Sequence, residues 1–213
     1  MRKVRICIPI MAKNYAEAIR IAREAKRSGA DILELRIDSL ANPSAEILRR
    51  IIKAMPLPVI ATNRKITGVS EKKRISLLIG AIDAGADYVD VEIESKYAKM
   101  IIRNKKDAKA IVSYHNFQKT PTNLEEIYRK IKKLNPDIVK IVTFANSIKD
   151  NFKILQFLKN KRNCIAFCMG ELGVLSRVLC CQHGSFLTFA SVGKKSAEGQ
   201  ISLNDMNFLI KFG

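Results

Sequence analysis

The chain has 213 residues, 47% of them hydrophobic and 27% charged, and this balance excludes a disordered chain, a collagen and a coiled-coil rod. No apolar run approaches the roughly 20 residues that cross a bilayer, so we expect no membrane-spanning segment. Lys and Arg total 38 against 20 Asp and Glu, a net charge of +18, but they are spread along the chain without a nucleic-acid motif. We therefore expect a small anionic substrate and no nucleic acid as partner, with the basic runs at 72–74 and 130–133 forming solvated helix faces.

One pattern recurs along the chain: a short apolar run rich in β-branched residues, then a longer segment with apolar residues at three- and four-residue spacing. This alternation is typical of βα units. The apolar runs span residues 4–10, 32–37, 58–63, 88–93, 110–114, 138–144, 164–169 and 186–191. The segments between them begin near the capping residues Asn14, Ser44, Thr122 and Ser147.

Eight such units predict an α/β fold, a closed (β/α)8 TIM barrel with a parallel sheet, in which residues 1–213 form a single catalytic domain. The alternative is an open, doubly wound sheet. No Gly-x-Gly-x-x-Gly motif follows the first run, which disfavours that alternative. Because functional side chains of a barrel lie at the C-terminal ends of its strands, polar residues within or just after the runs are candidates for a site.

The second run carries three charged residues of the same parity, Glu34, Arg36 and Asp38, which predicts that they point to one face. Charges inside a strand buried on both sides are unfavourable unless they are paired. These side chains therefore form either an ion-pair network that supports the barrel or a polar clamp for a hydroxylated or anionic ligand.

The ends of the next three runs also carry polar side chains. Arg64 is either a ligand clamp or a surface cation, and Asp90 and Glu92 repeat the same-face acidic pattern. His115 ends the fifth run, where it is either a structural side chain or a catalyst. We favour catalysis, because imidazole is the side chain best suited to proton transfer near neutral pH.

The sixth run contains the most informative residue, Lys140, which has two β-branched apolar residues on each side. A fully buried lysine is rare, because burial disfavours the ammonium form. The neutral amine that burial favours can attack a carbonyl to form a Schiff base. The alternative is a lysine that reaches the surface or pairs with a neighbouring carboxylate.

The last candidates follow the seventh and eighth runs. Arg177 lies in a helix-like segment, and Ser196 and Gln200 lie in the final long loop. A guanidinium, a hydroxyl and an amide together suit a carboxylate, which accepts several charge-assisted hydrogen bonds.

The five cysteines and two histidines show neither a Cys-x-x-Cys pair nor zinc-finger spacing. We therefore expect buried, reduced thiols in a cytoplasmic protein, and no metal site.

Taken together, these residues resemble the type I 3-dehydroquinate dehydratases, the Schiff-base-forming dehydratases of the shikimate pathway. The resemblance runs over nearly the whole chain and rests on six segments in order. They are ILELRID (32–38), ATNR (61–64), VSYHNFQKTP (112–121), IVKIV (138–142), GVLSR (173–177) and KKSAEGQIS (194–202). The resemblance implies a hydro-lyase of aromatic amino-acid biosynthesis that converts 3-dehydroquinate to 3-dehydroshikimate. It also implies a cytoplasmic homodimer that needs neither an organic cofactor nor a metal.

The resemblance implies a role for each candidate. Lys140 matches the lysine that forms the imine with the ketone of 3-dehydroquinate, and His115 matches the general acid/base. The groups that hold the substrate carboxylate match Arg177, Ser196 and Gln200. The groups that contact the ring hydroxyls match Glu34, Arg36 and Arg64. The apolar walls near the ring match Phe167, Met169 and Phe189.

Two positions depart from the family pattern. The family often has Arg-x-x-x-Glu-Gly-Gly after the third strand, whereas this chain has Gly68 in place of the Glu. The carboxylate that orients His115 must then come from elsewhere, and of Glu92, Asp90 and Glu71 we favour Glu92. Some members also have a Ser at the end of the first strand, where this chain has a proline at position 9.

Two other functions compete with this interpretation. Another Schiff-base barrel lyase, such as a class I aldolase, would share the strand lysine but would normally have a phosphate site in the last two βα loops. No clear Gly-rich phosphate loop is present in this chain. A basic nucleic-acid-binding protein without catalysis would leave Lys140 unexplained.

Overall fold

The computed structural model describes residues 4–211, and these residues form eight parallel strands, each followed by a helix, in a nearly closed barrel. The predicted (β/α)8 TIM barrel is confirmed, and the first three and last two positions of the predicted domain lie outside the described residues. The strands are β1 Ile6–Ile10, β2 Ile32–Arg36, β3 Val59–Thr62, β4 Tyr88–Glu92, β5 Lys109–His115, β6 Ile138–Phe144, β7 Cys164–Met169 and β8 Thr188–Phe189. The helices are α1 Tyr15–Arg27, α2 Ala45–Ala54, α3 Glu71–Asp83, α4 Ala98–Arg103, α5 Leu124–Lys132, α6 Ile148–Leu158, α7 Val174–Leu179 and α8 Leu203–Lys211.

Neighbouring strands follow chain order around the barrel, and β8 pairs with β1. Between β7 and the segment that enters β8, Cys164 and Ser185 form a parallel bridge. The eighth strand is shorter than the predicted run 186–191: it contains only Thr188 and Phe189, and Ser191 forms an isolated bridge with Ser202, just before α8.

The strands are apolar because both of their faces are covered, one by the barrel interior and the other by helices. Every residue of β1 and β7 is buried. Polar residues inside the strands are therefore the exceptions to explain. Those at most 4% exposed are Glu34, Thr62, Asp90, Ser113, Lys140, Thr143 and Thr188.

The helices begin close to the predicted caps. The side chains of Asn14 and Ser44 accept backbone N–H bonds at the starts of α1 and α2, and Ser147 precedes α6. Near the predicted cap Thr122, helix α5 begins at Leu124, because the intervening residue takes the cap position. Caps of this kind satisfy N–H groups that have no partner inside the helix, so they fix where each helix starts.

All five cysteines are buried and free of disulfides. None of the described helices has the length and apolar character needed to cross a membrane.

Candidate active site

Eight of the nine predicted site residues line one cavity, at the C-terminal ends of the strands. The cavity has a volume of about 170 Å³, which leaves room only for a small molecule. The eight residues are Glu34, Arg36, Arg64, His115, Lys140, Arg177, Ser196 and Gln200. The ninth, Glu92, lies in a neighbouring cleft.

Lys140 lies deep in this cavity and is only 4% exposed. Its Nζ atom is 2.9 Å from Asp90 Oδ2 and 3.4 Å from Glu34 Oε1. The same atom lies 4.7 Å from the centre of the Phe189 ring. The lysine therefore does not reach the surface; it is paired with carboxylates, and it borders a cavity that a ligand can enter.

Asp90 is the centre of the charged network around the lysine. It accepts hydrogen bonds from Ser113 Oγ at 2.6 Å, Arg64 Nη2 at 2.7 Å and Lys140 Nζ at 2.9 Å. Burial alone would raise the pKa of Asp90, but the Arg64 and Lys140 cations outweigh burial and lower this pKa well below its usual range. Asp90 is therefore a fixed negative charge between the two cations.

His115 lies on β5, the strand next to that of Lys140. The β5–β6 register places it two residues further toward the C-terminal end, on the same face, an offset of about 6.6 Å along the strands. Its ring stacks on Phe117, with centroids 6.0 Å apart and planes inclined by 13°. Burial, and then the Arg64 and Lys140 cations, hold the pKa of His115 well below its usual value. The imidazole is therefore neutral at neutral pH and can accept a proton.

Glu92 is held by two arginines. Its Oε2 accepts from Arg74 Nη2 at 3.0 Å, and its Oε1 lies 3.5 Å from Arg64 Nη1. Within residues 4–211, no hydrogen bond joins His115 to Glu92 or to either of the other two candidate carboxylates. An orienting role for Glu92 stays a prediction.

Glu34 and Arg36 are both paired and turned toward the cavity. Glu34 accepts from Thr62 Oγ1 at 2.9 Å, and Arg36 pairs with Asp38 at 2.7 Å. The strand ends at Arg36, so Asp38 lies in a 3-10 turn and not on the strand face that its parity predicted. Its carboxylate also accepts from the Arg64 backbone N–H at 3.0 Å, which ties the ends of β2 and β3 together.

Arg177 is a buried cation with an unused donor. It is 1% exposed, its Nη2 donates to the Glu198 carbonyl at 3.1 Å, and its guanidinium lies 4.7 Å from the centre of the Phe167 ring. Its Nε is buried and has no partner in the described part of the chain. Burial lowers the pKa of Arg177 to about 10, so the group stays charged at neutral pH. A carboxylate in the cavity would satisfy this donor and this charge.

Gln200 fixes the loop that carries Ser196. Its Oε1 accepts from the Ser196 N–H at 2.8 Å and from Ser196 Oγ at 3.1 Å, and its Nε2 donates to the Ala190 carbonyl at 2.8 Å. In this conformation the Gln200 amide therefore stabilises the loop. The side chains of Ser196 and Gln200 both border the cavity.

The predicted apolar wall is present in the cavity. Phe167, Met169 and Phe189 all line it. The rings of Phe167 and Phe189 pack against each other, with centroids 5.7 Å apart. Apolar rings beside buried charges exclude water and so strengthen electrostatic interactions with a ligand.

Sequence reasoning missed the central place of Asp90, the exposed Phe117 beside His115, and the burial of Arg74. The expectation of a solvated face at 72–74 is wrong for Arg74, which is 5% exposed. A signal was available, because Arg74, Leu78 and Ala81 follow the spacing i, i+4, i+7 and share the inner face of α3.

The comparisons with known proteins agree on one family. The type I 3-dehydroquinase family model matches residues 6–212. A 3-dehydroquinate dehydratase from Methanothermobacter thermautotrophicus is 38% identical over 208 residues, which span 94% of this chain and 93% of the relative.

Solved structures give the same result. The 3-dehydroquinate dehydratase from Aquifex aeolicus is 30% identical with a TM-score of 0.85, and the match covers 98% of each chain. A type I 3-dehydroquinate dehydratase from Clostridium difficile, solved with covalently modified comenic acid, is 27% identical with a TM-score of 0.87, covering 99% of this chain and 92% of that one. With the family model matching nearly every residue and a relative at 38% identity over almost its full length, the chain belongs to the type I 3-dehydroquinase family.

Proposed function

We propose that this enzyme eliminates water from 3-dehydroquinate to give 3-dehydroshikimate, through an imine on Lys140 and with His115 as general acid and base. The observation that carries the proposal is a buried lysine that borders a cavity, with His115 on the same face of the neighbouring strand, two residues further along. The similarity to 3-dehydroquinate dehydratases supports the substrate and the reaction.

The cavity offers complementary groups for an anionic, hydroxylated ring. The substrate carboxylate would meet Arg177, whose Nε has no protein acceptor in the described residues, and the hydroxyl of Ser196. The ring hydroxyls would meet the polar side chains of Glu34, Arg36 and Arg64. This placement leaves the ring face against the apolar wall and its ketone toward Lys140.

The first chemical step forms the imine. The Lys140 ammonium gives up a proton, and neutral His115 on the neighbouring strand is the base. The amine nitrogen then bonds to the ketone carbon. The ketone oxygen leaves as water with two of the three ammonium protons, so a protonated imine remains. Asp90 and Glu34 stabilise the positive charge of this imine, because they contact the same nitrogen in the free enzyme.

The second step is the elimination. His115 removes the proton alpha to the imine, and the electron pair moves to the positively charged nitrogen, which acts as the electron sink. The pair then returns and expels the beta hydroxyl, which takes the proton from His115 and leaves as water. Hydrolysis of the imine consumes one water and releases the conjugated enone, so the net reaction loses one water.

The resemblance also implies a cytoplasmic homodimer that needs no cofactor or metal. These expectations stay predictions. The other candidate is a class I aldolase that acts on a phosphorylated sugar. Such barrels normally bind the phosphate through backbone N–H groups of their loops. Arg177 and Ser196 disfavour this candidate, because a single buried guanidinium over a phenyl ring suits a carboxylate.

Borohydride reduction in the presence of 3-dehydroquinate tests the proposal. We expect a reduced adduct that peptide mass spectrometry places on Lys140, together with enone formation followed by ultraviolet absorbance. Lys53→Met, at an exposed position on α2, should keep both signals, and Lys140→Met should lose both.

The outcomes separate substrate from mechanism. Enone formation without an adduct would contradict the imine mechanism but keep the reaction. Folded protein that forms neither would contradict both, and an adduct formed only with sugar phosphates would favour the aldolase.

A further inference from the structure

Arg74 is a buried cation on helix α3, outside the catalytic cavity. Its Nη2 donates to Glu92 Oε2 at 3.0 Å, and its Nε and Nη1 are buried without a partner in the described residues. Its backbone carbonyl accepts a hydrogen bond from Asn63 Nδ2 at 3.0 Å, and Asn63 immediately precedes Arg64 in the chain. Keeping a guanidinium so poorly satisfied is costly, which indicates a role beyond helix packing.

Arg74 begins a chain of alternating charges that ends at the lysine. Glu92 lies between Arg74 at 3.0 Å and Arg64 at 3.5 Å. Arg64 binds Asp90 at 2.7 Å, and Asp90 binds Lys140 at 2.9 Å. Each residue forms an ion pair with the next, so the position of the Arg74 charge affects the surroundings of Lys140.

We propose that Arg74 is a positioning residue for the elimination: it holds Glu92 and offsets the negative charge of that carboxylate, so that Arg64 remains on Asp90 and the surroundings of His115 remain rich in cations. This inference rests on the acid/base role proposed for His115. Glu92 is already 3.5 Å from Arg64, so without Arg74 its carboxylate is free to pair fully with that guanidinium and to draw it from Asp90.

The charges around the two affected groups give the sign of the effect. The charged groups with the largest effects on His115 are Arg64, Lys140, Asp90 and Arg36. Glu92 contacts Arg64 and Arg74 and shares its cleft with Lys65, Glu71 and Glu94, and Asp90 lies two residues before it on β4. Three cations and one carboxylate have the largest effects on His115, so an uncompensated Glu92 carboxylate would shift this balance and favour the imidazolium.

The histidine itself is the best reporter. The chain has two histidines, and the second, His183, lies at the opposite end of the barrel with its Nδ1 3.0 Å from the Leu179 carbonyl. Titration of both rings by nuclear magnetic resonance, assigned with His183→Gln, measures His115 without substrate and gives an internal control. A failure of the proposed reaction would therefore not affect this measurement.

We expect Arg74→Met to raise the pKa of His115 by about half a pH unit or more, and Glu92→Gln to lower it. Arg74→Lys and the double variant Arg74→Met with Glu92→Gln should both lie close to the wild type, because the charge balance is retained. His183 should titrate unchanged in all four. In active enzyme, the acidic limb of the kcat profile should move with His115.

Two results would overturn the proposal. One is a His115 titration that is the same in Arg74→Met and Glu92→Gln as in the wild type, even if kcat falls equally at every pH. The other is a shift of His115 and His183 together, which indicates a general loss of structure. If Arg74→Met fails to fold, the comparison of Glu92→Gln with the double variant still tests the proposal, because the first should lower the pKa of His115 and the second should leave it close to the wild-type value.

Discussion

Single side chains decide the chemistry of this barrel, because each is buried at a position where the electrostatic interactions of its charge are strong. Lys140 and Asp90 form a pair that is almost wholly removed from water, and Arg177 carries a charge against a phenyl ring. Removing one partner of such a buried pair costs about 3–5 kcal/mol, so these positions affect stability as well as function.

Arg177 provides a test at this scale. Arg177→Met should raise KM for 3-dehydroquinate roughly tenfold to 100-fold with a smaller change in kcat, because a charge-assisted hydrogen bond to the carboxylate contributes about 1.5–3 kcal/mol in both the ground and transition states. Steady-state kinetics measures this, with exposed Arg162→Met as the control. A loss of kcat with unchanged KM would contradict a binding role.

Strands and loops bring these residues together. The parallel register sets the step between Lys140 and His115, whereas the loop after β8 has to be held by its own contacts. Gly199 has φ +67°, and a Cβ there would collide with the Gly170 carbonyl. The loop therefore lies directly against the end of β7, where the Gly170 N–H donates to the Glu198 carbonyl at 3.3 Å.

This close approach predicts the effect of Gly199→Ala. The loop must move away from β7 and take Ser196 with it, so kcat/KM should fall about tenfold or more. Gly193→Ala is a matched control, because Gly193 has φ +68° but open space around its Cβ position. Equal losses in the two variants would show that backbone strain alone, and not the contact with Gly170, is responsible.

The whole molecule acts through its net charge of +18. A field of this sign attracts an anionic substrate, and salt screens it over about 10 Å at 0.1 M ionic strength. We expect kcat/KM for 3-dehydroquinate to fall about threefold or more between 10 and 200 mM salt, with little change in kcat. Steady-state kinetics at matched pH checks this, and sucrose serves as an uncharged control. A flat salt dependence would show that the charge has another purpose.

Much of the fold was predictable from the sequence, since an apolar run between two helices has few other arrangements. Lys140 was recognisable because a lysine among β-branched residues has no ordinary explanation. Arg74 was not recognised, because a basic run on a helix is usually solvated and only its spacing with Leu78 suggests otherwise. The role of Gln200 in substrate binding stays a prediction, and its hydrogen bonds to Ser196 and to the Ala190 carbonyl could not be read from the sequence.

The sequence by itself determined the eight βα units, the family and the residues whose chemistry is unusual for their place, because local patterning and side-chain type carry that information. Only the tertiary structure decided which charges meet. Asp90 joins Arg64 to Lys140, and Glu92 lies between two arginines, across distances of 18 to 50 residues along the chain. These pairings depend on strand register and barrel closure, which bring distant residues within 3 or 4 Å and which no local pattern specifies.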